Sequence, residues 1–101
     1  MMKRYEIWDA HVRFEDSQEI KTRPVLIWGE YAFIIAYIIT GTDRGDTKDE
    51  FRIGYWKEAG LDKPTTIRIG KQLQLRKDDL IQRRGRLDPR DILRFDLRIA
   101  G

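Results

Sequence analysis

The chain contains no cysteine and a single histidine, His11. Without thiols there is no disulfide, no zinc–thiolate centre and no sulfur nucleophile, and the composition suits a reducing cytosol. One imidazole cannot build a multi-histidine metal site, so neither a metal nor another cofactor is expected. Long apolar runs are missing too. The longest, "YAFIIAYIIT", is about half of what a membrane helix needs. The start, "MMKRYEIWDA", carries charges and aromatics where a secretory leader requires an apolar core. These absences predict a soluble cytoplasmic protein with no membrane partner. At 101 residues and 12.1 kDa, the chain is read as one domain, 1–101, long enough for one core but too short for a nucleotide-binding domain plus a second lobe.

What is present is mostly charge. Twenty Lys and Arg face 17 Asp and Glu, a net of +3 with a pI near 9.3. This mild basicity does not separate a nucleic-acid binder from an ordinary charged surface. The run "RRGRLDPR" gathers Arg83, Arg84, Arg86 and Arg90. Such a run reads first as a solvated face and second as an RNA groove.

The pattern along the chain is mainly of strands. From 5 to 14, Trp8, Ala10, Val12 and Phe14 alternate with Asp9, His11 and Arg13, the period of a half-buried strand. "EDSQEIK" breaks this as a polar loop. "PVLIW" and "AFIIAYII" read as doubly buried strands joined by "GEY" into an antiparallel hairpin. Proline lacks an amide hydrogen and extends the residue before it, so Pro24 suits a strand's first position and sets Arg23 at the strand mouth. A cation there is either a solvated rim charge or one aimed at a phosphate.

"GTDRGDTKDE" has no apolar residue and reads as a loop of about ten residues. "YWKEAG" fits one helical turn closed by Gly60. "TTIRIGKQLQL" returns to period two, with a bulge or close backbone approach expected at Gly70. "DLIQRRGRL" reads as a short strand. Asp88 then serves as N-cap, Pro89 as first helical residue and Asp91 as a first-turn acid, with Ile92, Phe95 and Ile99 laying a helical stripe on the sheet. The expected class is mainly β with minor α, a small antiparallel barrel or strongly coiled sheet with a C-terminal helix.

The ordered set "KTRPVLIW", "IIAYIITG", "WKEAGLDKPTTIRIGKQLQL" and "RRGRLDPRDI" resembles the PemK/MazF family of toxin endoribonucleases, from about Tyr5 to Leu97. The most specific piece is "AGLDKPTTIR", similar to the family's GL-x-KPS-x-x-R run. The resemblance implies an SH3-like barrel that forms a homodimer and cleaves single-stranded RNA without a metal. It also implies a cognate antitoxin with an acidic segment, and DNA binding by the toxin–antitoxin complex.

Metal-free cleavage of this kind turns the ribose 2′-hydroxyl on its neighbouring phosphate, and so needs a base, an acid and donors for the charged transition state. By the resemblance, Arg23 matches the catalytic arginine, Thr40 a threonine whose hydroxyl donates to the same phosphate, and Arg68 a further arginine. The sequence departs from the family where some members carry an acid two residues after that arginine: here it is Gly70. It departs again after Thr40, where many have Ser or Thr and here stands Gly41. Glu19 is the first choice for the base and Asp16 the alternative. Lys21, Asp16, Trp56 and Lys71 are expected along the RNA. Each residue also has an ordinary structural alternative: Arg23 and Arg68 paired with acids such as Glu19 or Asp16, Thr40 ending a strand, and the tryptophans in the core.

Overall fold

The computed structural model describes residues 2–13, 19–41 and 49–100. Six strands, β1 (Glu6–Arg13), β2 (Ile20–Glu30), β3 (Ile34–Thr40), β4 (Glu50–Arg52), β5 (Thr66–Leu75) and β6 (Leu80–Arg86), precede one helix, α1 (Pro89–Ala100), with a short 3-10 turn at Lys77–Asp79 before β6. They form one antiparallel sheet in the order β4-β5-β3-β2-β1-β6. The expected mainly β fold with a C-terminal helix is present. The sheet is coiled but does not close into a barrel, because its edge strands β4 and β6 are not hydrogen-bonded to each other. Residues 53–65 intervene instead: the Ile53 amide donates to the Thr65 carbonyl beside β4, while the turn at 56–60 packs on β6.

That packing explains two glycines. Gly60 has φ +89°, the left-handed conformation expected of a cap, and a Cβ on it would stand 2.4 Å from the Arg84 carbonyl oxygen. A Cβ on Gly85 would meet the Ala59 carbonyl oxygen at 2.1 Å. Neither position has room for a side chain.

The sheet buries apolar residues on both faces. One cluster joins Ile7, Leu26, Tyr37, Ile39, Phe51, Ile67 and Leu87 to Phe95 of α1, which is fully buried. Phe95 meets Trp28, Tyr37 and Phe51 edge-on, with ring centroids 6.2, 5.8 and 5.3 Å away. The second cluster, on the other face, comprises Ala10, Val12, Val25, Ile27, Ile34, Ala36 and Leu75.

Several sequence expectations shift in detail. β2 begins at Ile20, so Arg23 and Pro24 lie inside the strand. β4 occupies the end of the segment read as a loop. Gly70 does sit in a bulge: Ile38 pairs with Arg68 but Tyr37 with Gln72. In α1, Phe95 and Ile92 face the core, whereas Ile99 is 36% exposed. Asp91 is fully buried and does more than balance a helix dipole: its carboxylate accepts the Gly54 and Tyr55 amides at 3.0 and 2.8 Å and the Arg94 guanidinium at 2.8 Å.

Asp88 caps the helix as expected, accepting the Arg90 amide at 2.9 Å. Hydrogen bonds from the Arg90 side chain, then from its amide, pull the Asp88 carboxyl from 3.8 down to about 2. A depressed carboxyl stabilises above its unfolded value and loses that stabilisation as pH falls through its folded value. Asp88→Asn should therefore flatten the acid limb of the stability curve between 3.8 and about 2, as followed by helix circular dichroism. Phe95→Ala should lower the unfolding free energy by about 3–5 kcal/mol in urea titration, since no neighbouring side chain can refill a site bounded by three rings.

Candidate functional site

The β2–β3 ladder ends at Val25↔Ile38, beside Pro24, which lacks the hydrogen a ladder bond needs. Continuing that register by two residues sets Arg23 opposite Thr40. Thr40 in turn pairs with Thr66, and Ile38 with Arg68. Directly paired residues of antiparallel strands share a face. Arg23 pairs with Ala10 of the second cluster, and Ile67 belongs to the first. Arg23, Thr40, Thr66 and Arg68 consequently share one face at one end of the sheet, in a row across β2, β3 and β5. At strand spacings of about 4.8 Å the row spans roughly 10 Å, which suits one phosphate group with its flanking sugars.

The two arginines stand out by their partners. Arg83 binds Glu6, Arg84 binds Asp9 and Asp62, Arg90 binds Asp88 and Glu58, and Arg94 binds Asp91. Most of the "RRGRLDPR" run is thus committed to ion pairs, the solvated-face reading. Arg23 is exposed and, among the described residues, donates from Nη1 to its neighbour's carbonyl, Thr22 O, at 2.9 Å. Neither Arg23 nor Arg68 has a carboxylate partner among the described residues.

The other predicted residues lie around this row. Lys21 is two residues from Arg23 on the same face and pairs with Glu19 at 3.5 Å, both exposed. Glu19 is four residues along the chain from Arg23, a span of roughly 13 Å in an extended strand. Asp16 lies outside the described residues. Lys71 is exposed in the β5 bulge, three residues past Arg68. Trp56 is not in the row. It stands in the turn at 56–60, partly buried against the first cluster, with Lys57 Nζ 5.5 Å from its ring centroid.

Sequence reasoning missed two neighbours of the row. A side chain starting at Gly70 would meet Asp49, whose Cβ and Cγ stand 3.8 and 4.0 Å from the Cβ position; the Asp49 carbonyl also accepts the Ile69 amide at 2.8 Å. Lys63 lies over Gly41, next to Thr40. The signals were present as glycines where the resemblance predicts side chains. Among the described residues no three His, Asp or Glu converge as a metal site would require, and no helix is long and apolar enough to cross a membrane.

The architecture matches solved structures over nearly its whole length. A mycobacterial endoribonuclease in complex with its cognate antitoxin superposes with a TM-score of 0.77 at 17% identity, over 99% of this chain and 92% of that one. The Mycobacterium tuberculosis toxin MazF-mt6 does so with 0.72 at 22% identity, over 94% and 92%. The fold is that of the MazF toxins. No protein-family model and no curated protein sequence matches the chain, so the MazF-like likeness is one of structure. Within it, Arg23 and Arg68, without a carboxylate partner among the described residues, are a feature of this chain's own side chains.

Residues held for a ligand rather than for the fold should be dispensable to stability. Arg23→Ala and Arg68→Ala should each change the unfolding free energy by no more than about 0.5 kcal/mol. Arg84→Ala, which strips partners from the nearly buried Asp9 and from Asp62, should cost clearly more in the same denaturant titration.

Proposed function

We propose that this chain is the toxin of a type II toxin–antitoxin pair, an endoribonuclease that cuts single-stranded mRNA without a metal. The observation that carries this reading is the pair of arginines that, among the described residues, have no carboxylate partner and flank the Thr40–Thr66 row on a MazF-like fold.

The chemistry follows from what a phosphodiester needs. The 2′-oxygen bonds to phosphorus, its proton passes to a base, and the bond from phosphorus to the 5′-oxygen breaks as that oxygen takes a proton. A 2′,3′-cyclic phosphate and a 5′-hydroxyl remain. Negative charge grows on the non-bridging oxygens, where Arg23 offers a fixed fork of donors, Arg68 a second cation and Thr40 a hydroxyl. Two carboxylates border the row as bases, Glu19 from the β2 side and Asp49 from the β5 side. Lys21 and Lys71 would follow the strand's path, and Trp56 would stack a base farther out.

Exposed apolar residues support a homodimer. Leu93 and Leu97 of α1 are 63% and 67% exposed, and Ile20 and Phe33 are exposed separately, beside Val12 and Leu75 of the second cluster. Two copies would border a basic groove that admits a flexible strand and rejects a duplex. An antitoxin's acidic segment would occupy the same groove in the cytoplasm, as the antitoxin complex of the similar mycobacterial enzyme suggests.

The purified chain should cut mixed single-stranded RNA in EDTA and leave cyclic phosphate ends. Arg23→Ala should be slower by roughly a hundredfold to a thousandfold while folded. Full activity in that variant removes Arg23 from the site, and an inert wild type that still binds RNA makes the protein a binding module instead. Glu19→Gln and Asp49→Asn, compared at saturating RNA, identify the base by which one loses turnover and the basic dependence on pH. Sedimentation at micromolar concentration should give a dimer; a 12.1 kDa monomer that cleaves would rule out the shared groove.

A further inference from the structure

Gly41 raises a question that backbone geometry does not answer. Among the described glycines only Gly60 has a positive φ, so the backbone at 41 accepts any residue. What a side chain there would displace is Lys63: a Cβ on Gly41 would stand 2.0 Å from Lys63 Cε, 2.8 Å from its Nζ and 3.1 Å from its Cδ. The lysine stem runs through the space that residue 41 would otherwise fill.

Lys63 is well anchored at its root. Leu61 is buried and donates its amide to the Trp56 carbonyl at 3.0 Å. Pro64 restricts Lys63 to extended backbone. The buried Thr65 hydroxyl donates to the Lys63 carbonyl at 2.8 Å, and the Thr65 carbonyl accepts the Ile53 amide. The acid next to it in sequence, Asp62, is taken by Arg84 at 3.0 Å. Lys63 therefore ends at the tip of β3 with no carboxylate partner among the described residues.

We propose that Lys63 is an RNA-phosphate-binding residue of this site, and that Gly41 is the opening through which its ammonium reaches the end of β3. The inference rests on the nuclease reading and adds a group to it. Arg23 and Arg68 bracket the row from β2 and β5, and Lys63 supplies a cation at the β3 terminus between them. There it takes the place of a hydroxyl donor from residue 41, adding charge that a hydroxyl lacks. As a compact point charge it suits a phosphate away from the cleaved bond, where no bidentate fork is needed. Its role is binding, and its loss falls on affinity before turnover.

The test uses a 2′-O-methylated single-stranded RNA, which cannot be cut, with affinity measured by fluorescence anisotropy across a salt series. Each phosphate contact on a single strand contributes about 0.7 to the slope of log affinity against log salt. Lys63→Gln should lower the slope by about 0.7 and weaken binding uniformly across RNA sequences, whereas Lys63→Arg keeps the slope. Gly41→Ala, which displaces the lysine, should reproduce the Lys63→Gln effect and add nothing in a Lys63→Gln background. With cleavable RNA that keeps its 2′-hydroxyls, the loss should appear in KM more than in kcat. An unchanged slope in Lys63→Gln, or a Gly41→Ala defect that persists without the lysine, overturns the proposal while leaving the nuclease reading intact. A wild-type chain that fails to bind RNA overturns both.

Discussion

Phe95 is the contact on which the architecture turns. Its ring closes against Trp28 of β2, Tyr37 of β3 and Phe51 of β4, so one residue of the helix locks three strands into a fixed curvature. Trp28 extends the set to Tyr5, edge-on at 5.9 Å, and Arg4 lies 4.3 Å from the Trp28 ring centre. A fully packed aromatic hub tolerates little displacement, because interiors are as dense as molecular crystals. Two strands of the candidate site inherit that rigidity: Arg23 and Thr40 lie on β2 and β3, which these rings hold together.

The protein's basic residues divide into two populations by their surroundings. On β6 and α1, arginines meet acids supplied by β1, by the turn at 56–60 and by the helix's own first turn. Burial pushes the Arg84 pKa down, but its hydrogen bond to Asp62 and the charges of Asp9 and Asp62 more than reverse this. At the β2–β3–β5 end, Arg23 and Arg68 have no carboxylate partner among the described residues.

Much of this was legible in the sequence. Period-two runs located β1, β2, β3 and β5; Gly60 announced the cap, Gly70 the bulge, and Asp88-Pro89 the start of α1. Each is a local rule with a local cause. What escaped reading depends on residues far apart in the chain. β4 has three residues and no periodicity, and it exists because β5 offers an edge. The open sheet arises from backbone contact between Gly60 and Gly85, which no pattern at either site foretells. Asp91 looked like an ordinary first-turn acid, and only the fold brings the Gly54 and Tyr55 amides to it. Lys63 and Asp49 were overlooked for the same reason: glycines at 41 and 70 seemed to delete side chains, whereas the space beside them is taken by groups from neighbouring segments.

The order in which the elements pair has a consequence for synthesis. β1, the first strand made, lies between β2 and β6, and the helix that carries Phe95 follows β6. A nascent chain that has exposed residues 6–75 holds every arginine of the candidate site, yet β1 lacks one neighbour and the aromatic cluster lacks its centre. Domains fold as units, so the sheet cannot take its final curvature until residue 95 has cleared the ribosome. For a chain proposed to destroy mRNA, the topology acts as a delay, since the arginines of the candidate site are made before the helix whose Phe95 fixes the curvature of their strands.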